Sequence, residues 1–134
     1  ELEALAARLA ARHATPEEIR VLAGMVEDDR RILGDPQLLA RTNRRFHHQL
    51  HLASHNRYLV QQLDLVHRSM ALMARTTLAA KGRDTVSLNE HQAIVDAIAR
   101  RDEKAAEQAL RHHNSMALET RLKEEAHLGG EDQL

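Results

Sequence analysis

Apolar residues recur along the chain at the three-and-four spacing of amphipathic helices. Leu2, Leu5, Ala6, Leu9 and Ala10 predict a first helix that ends near His13. Thr15-Pro16-Glu17-Glu18 restarts the chain, because Thr15 can cap, Pro16 suits the first helical position and Glu18 completes a capping box. A second helix then runs to about Leu33, burying Ile19, Leu22, Ala23 and Val26, before Gly34 stops it. Asp35-Pro36 repeats the start signal for a third helix over about 36–54, with Leu39, Phe46, Leu50 and Ala53 inward. A long fourth helix to about Ala80 carries Leu59, Leu63, Val66, Met70, Met73 and Thr77. Val60, Leu65, Leu72 and Leu78 widen that stripe, so the helix reads as central or as lying at a subunit interface. Lys81-Gly82-Arg83-Asp84 reads as a loop, and Ser87 to Glu90 as a second capping box opening a fifth helix over about 88–101. Asp102 caps a sixth helix that continues to about His127, and 129–134 reads as a disordered tail.

Short connections make neighbouring helices antiparallel, which gives an all-α fold: an antiparallel bundle of about six helices. Phe46 and Tyr58 are the only aromatic residues, so Leu, Ala, Val, Ile and Met must build the core, a composition suited to packed helices. With 134 residues the chain makes one domain, 1–128, and not two. Its 19 basic and 20 acidic residues leave a net charge of -1 with no block of one sign, so nothing marks a surface for phosphate backbones or membranes. Cysteine is absent, which excludes disulfides, thiolate metal sites and a cysteine nucleophile. No apolar run approaches the roughly 18 residues that span a bilayer, and no signal peptide precedes the first helix. The chain opens in mid-helix at Glu1 with no capping signal, and it reads as a piece of something longer on its N-terminal side.

Polar residues on the apolar faces carry the candidate chemistry. Asn43 and His47 share the inward stripe of Phe46 and Leu50, and burying an amide and an imidazole without partners costs about 1–3 kcal/mol each. His91 lies three residues from both Leu88 and Ile94 on the fifth helix. On the sixth, Ala106, Ala109, Leu110 and Ala117 turn His113 inward and leave His112 about 100° away. The spacing puts His48, His51 and His55 on the opposite flank with Arg41 and Arg44, and places His13, His67 and His127 at the surface. Neutral imidazoles cannot all satisfy one another's acceptor nitrogens without a donor or a cation. A divalent metal solves the problem; imidazole suits zinc, nickel, copper or iron, and the Asn43 oxygen can add a weaker fourth ligand. Spacing alone leaves that reading level with a hydrogen-bonded histidine core. The pair His51 and His55 is a rival chelate without a third partner, and reads better as a solvated face.

Asn43-x-x-Phe46-His47, Ser54-His55-Asn56, the run Glu90-His91-Gln92-Ala93-Ile94-Val95-Asp96-Ala97-Ile98, then Arg101-Asp102 and His113 follow one another in an order that resembles the FCD domain, the effector-binding domain of FadR-type GntR transcriptional regulators. The resemblance implies a bundle of about six or seven helices that binds a divalent metal through an Asp and three His and senses small carboxylates beside it. It implies a cytoplasmic homodimer that reaches DNA only through an N-terminal winged-helix domain absent from this chain. His47, His91 and His113 then become the metal ligands, zinc or nickel the first candidates, and Asn43 stands where the family's usual Asp would be. A neutral amide there weakens the metal and leaves the site about one charge more positive. For the effector the resemblance points to Arg75 on the fourth helix, with Arg68, Ser69 and Thr76 as competitors; a guanidinium clamps a carboxylate through two parallel hydrogen bonds.

Two other functions compete with ligand sensing. A three-His site with open positions can also activate water, as in a metal-dependent hydrolase. The apolar stripes of the third, fifth and sixth helices contain no Asp or Glu, and Glu90 is expected about 100° off, which leaves no general base. The third reading is a structural bundle in which the histidines only pack.

Overall fold

A computed structural model describes residues 1–71 and 77–131. They form six α-helices: α1 Leu2–His13, α2 Pro16–Arg30, α3 Pro36–Ala53, α4 Arg57–Ala71, α5 Arg83–Ala99 and α6 Glu103–Glu131, with a 3-10 turn at Thr77–Ala79. Most starts follow the local chemistry. Thr15 Oγ1 accepts from Glu18 N at 3.1 Å while Glu18 Oε1 accepts from Thr15 N at 3.0 Å, a complete capping box. Asp35 and Asp102 cap α3 and α6 by accepting from Leu38 N and Ala105 N at 3.1 and 3.0 Å. After α3, His55 turns left-handed at φ 57°, and Asn56 Oδ1 caps α4 by accepting from Leu59 N at 3.1 Å.

Three elements depart from the sequence pattern, each for a local reason. First, α5 starts at Arg83, five residues before the expected start, because Gly82 takes φ 76° and lets the chain enter the helix directly. Ser87 to Glu90 is therefore mid-helix and forms no cap; the Glu90 carboxylate is engaged inside the bundle instead. Second, the fourth helix is not continuous to Ala80, since Thr77–Ala79 is a separate 3-10 turn. Leu72, Met73, Arg75 and Thr76 lie outside the described residues. Third, α6 passes through Gly129 and Gly130 to Glu131, beyond the expected stop near His127.

The core is the one the periodicity predicts on α2, α3, α5 and α6. Leu22, Val26, Phe46, Leu50, Leu88, Ile94, Val95, Ile98, Ala106 and Leu110 join one buried cluster, with α1 and α5 both packed on α6. On α1 the buried face is rotated from the expected leucine stripe. Ala6, Ala7, Ala10 and Ala11 are fully buried, whereas Leu2 is 43% exposed. Alanines let two helix backbones approach closely, and that side also carries Glu3 inward. Ala10→Leu should therefore cost about 1–3 kcal/mol by urea unfolding, through overpacking, while Leu2→Ala should change stability by under about 0.5 kcal/mol. The reverse ranking would mean that α1 presents its leucine side.

Candidate metal centre

His47 from α3, His91 from α5 and His113 from α6 are 5%, 3% and 5% exposed, and each offers a ring nitrogen within 4.8 Å of the other two. His91 Nε2 and His113 Nε2 are 3.3 Å apart. Four ligands held tetrahedrally at zinc–nitrogen distances of 2.0–2.1 Å lie about 3.3–3.4 Å from one another, so this pair already has the separation of two zinc ligands. Phe46 stacks on His91 with ring centroids 4.2 Å apart and an interplanar angle of 17°, which fixes that ring against the core.

Behind the histidines stand two buried carboxylates that the apolar stripes did not reveal. Glu90, expected to point away, is buried and accepts from His113 Nδ1 at 2.8 Å and from Arg83 Nη2 at 2.8 Å. A carboxylate on one ring nitrogen fixes the tautomer and aims the other nitrogen, the outer arrangement that metal-ligating histidines ordinarily have. Glu3, from α1, sits with Oε2 3.4 Å from His47 Nδ1 and accepts from Asn114 Nδ2 at 3.2 Å. His51 and His67 also converge on Glu3, at 3.3 and 2.5 Å. The solvated-flank reading of His51 is thus overturned, since its ring is 2% exposed and its partners are Glu3 and His67 and not His55. His67 is likewise half-buried and not a surface residue; His13, His48, His112 and His127 are exposed. His55 is exposed and meets Glu18 at 2.7 Å.

The field of the site follows from these contacts. Burial, reinforced by His47 and His113, pushes His91 well below the ordinary imidazole value, and burial lowers His113 against the pull of Glu90. For Glu90 burial works against the charge, but His113 and Arg83 hold the carboxyl below its usual range. Glu3 is held far lower still, its desolvation outweighed by His47, His51 and His67.

A cavity of about 490 Å³ opens beside His47 and His113, walled also by Asn43, Arg83, Thr77 and Arg121 among others. Asn43 Oδ1 and His47 Nδ1 are buried there without a hydrogen-bond partner, as are Nε and Nη1 of Arg83. Of the effector residues expected from sequence, Arg68 and Ser69 are exposed on α4 and do not line this cavity; Ser69 donates its hydroxyl to Leu65 O at 3.0 Å. Arg75 and Thr76 lie outside the described residues. Arg44, Arg83 and Arg121 do line the cavity, and the buried one, Arg83, is a residue that the sequence pattern assigned to a loop.

The FCD domain family model matches residues 1–115. The chain belongs to the FCD domain family. Among solved structures the FCD domain here is similar to McbR/YncC of E. coli, with a TM-score of 0.79 and 15% identity. That match covers 92% of this chain and 64% of the McbR/YncC chain, a likeness of fold. No curated protein matches the sequence. The histidines of this FCD domain could hold a metal: three buried imidazoles offer ring nitrogens within 4.8 Å of one another, Glu90 holds His113 from behind, and the Asn43 oxygen nearby on the cavity wall has no hydrogen-bond partner.

Two outcomes follow. Glu90→Gln should cost about 3–5 kcal/mol of stability in denaturant unfolding, because it strands the buried Arg83 charge; a loss under about 1 kcal/mol would mean that the pair is solvated. The second concerns pH in chelator-treated protein. His91 and His113 titrate below 6.5 when folded, so between those lowered values and about 6.5 the unfolded chain binds more protons. Their contribution is complete above about 6.5 and is lost as the pH falls, so the melting temperature should drop as the pH is lowered below about 6.5. A flat or rising profile would contradict their buried, neutral state.

Proposed function

We propose that this FCD domain is the effector-binding and dimerisation part of a GntR-family transcriptional regulator, sensing a small carboxylate beside a divalent metal held by His47, His91 and His113, with Asn43 as a weak fourth ligand. The convergence of three buried imidazoles, two of which, His47 and His113, share a cavity wall with the unpartnered Asn43, carries this reading. Zinc or nickel suits the donor set. When bound, the ion supplies positive charge for an anionic effector.

The chain's own residues do the rest. Glu90 orients His113 and anchors Arg83 through Nη2, which leaves Nη1 of Arg83 as a donor for an effector carboxylate. Arg83 thus joins Arg75, which lies outside the described residues, as an arginine for the effector carboxylate. Arg121 adds a second positive group to the wall. DNA contact belongs to an N-terminal winged-helix domain outside this chain, in the cytoplasm. Leu65 and Met70 of α4 and Leu118 and Leu122 of α6, all at least half exposed, offer apolar surface for a homodimer whose arrangement the effector shifts.

A hydrolase needs a carboxylate free to take a proton from water. Glu90 Oε1 is tied to His113 and Arg83 and Glu90 does not line the cavity, while Glu3 is engaged by His51, His67 and Asn114. The purely structural reading leaves Asn43 Oδ1 and two Arg83 nitrogens unexplained.

Metal analysis of purified protein should find a divalent ion that His91→Ala removes; content unchanged by that substitution would eliminate the site. Calorimetric titration with small carboxylates should give saturable binding that a chelator abolishes. Arg83→Lys keeps a charge beside Glu90 but loses the second donor nitrogen, and should weaken binding about 10- to 100-fold with metal content unchanged. Turnover of the titrated compound would replace sensing with catalysis.

A further inference from the structure

Glu3, His51 and His67 come from α1, α3 and α4, and none of them belongs to the three-His group. His51 Nε2 and His67 Nε2 approach the same oxygen, Glu3 Oε1, at 3.3 and 2.5 Å. Glu3 Oε2 faces His47 Nδ1 at 3.4 Å and accepts from Asn114. One ligand atom from each of Glu3, His51 and His67 lies within 4.8 Å of the other two. Orienting His47 requires one carboxylate oxygen and no further imidazole. Here the other oxygen has gathered two, from separate helices, around a buried charge.

We propose that Glu3, His51 and His67 form a second divalent-metal site, distinct from the three-His centre. Two imidazoles and a carboxylate are a ligand set that zinc takes with one position left over. The contact of His51 Nε2 with Oε1 already has the spacing of zinc ligands, and the short His67 contact is a proton held between imidazole and carboxylate. A metal replaces that proton, so binding releases it to solvent. Glu3 and His67 both line the cavity beside the first centre, and His67 is 37% exposed, so an ion has a way in. Because its ligands come from α1, α3 and α4, the ion ties the first helix to the two that carry it against the cavity.

The proposal stands on residues other than His91 and His113 and can succeed or fail separately from the first centre. The test is zinc stoichiometry of the chain by equilibrium dialysis and elemental analysis, with helicity checked by circular dichroism. About two ions per chain are expected, falling to about one in His51→Ala, about one in His91→Ala and none in the double variant. Should His51→Ala fail to fold, His67→Gln at the half-exposed edge carries the same expectation. Zinc content equal to wild type in His51→Ala or His67→Gln would overturn the second site and leave Glu3 as a hydrogen-bonding hub only. A loss in those variants with none in His91→Ala would uphold the second site and overturn the first.

Discussion

Two of the carboxylates buried in this all-helical FCD domain, Glu90 and Glu3, govern the arrangement of its buried histidines. Glu90 and Glu3 are 7% and 8% exposed, and a buried carboxylate is sustained only by partners that satisfy its charge and lone pairs. Glu90 has His113 and Arg83 on Oε1 while its Oε2 is buried without a hydrogen bond, and Glu3 has His51, His67 and Asn114 beside His47. The Glu90 contact turns His113 toward His91, and Glu3 Oε2 lies 3.4 Å from His47 Nδ1. Buried acid thus sets ring orientation before any ion is considered, which is the supporting layer that a precise ligand set requires.

The scaffold makes this possible through close packing at one place and local punctuation at others. The alanine face of α1 brings that helix against α6 closely enough to insert Glu3 near α3. Gly82 starts α5 early, and the extra turn carries Arg83 into the core beside Glu90. Without that left-handed residue the chain would enter the helix later, and the cavity would lack its buried guanidinium.

Much of the fold is legible in the sequence because periodicity and caps agree: the inward faces of α2, α3, α5 and α6, the Thr15 box and the Asp35 and Asp102 caps all follow from residue spacing. The convergence of His47, His91 and His113 follows from it too. What the spacing hides is any polar residue whose partner sits on another helix. Glu90 lies next to the expected stripe and was read as a cap, yet burial becomes acceptable for it once Arg83 and His113 are near. His51 and His67 read as surface because the sequence does not show Glu3 between them. Alanine is a weak marker of facing, so α1 was turned toward its leucines. The i,i+4 pairing of His47 with His51 was the available signal, since it sets both rings on one side of α3.

Asn43 remains the distinctive feature of the proposed centre, a neutral amide whose oxygen is buried without a partner where an acidic ligand is usual for the family. Anomalous diffraction from zinc-loaded crystals, collected above and below the zinc edge, tests the three-His centre most directly. A zinc ion held there gives a peak about 2.0–2.1 Å from a ring nitrogen of each of His47, His91 and His113, on the side facing Asn43 Oδ1. Well-ordered rings of all three histidines in zinc-loaded crystals, with no anomalous density between them, would contradict it.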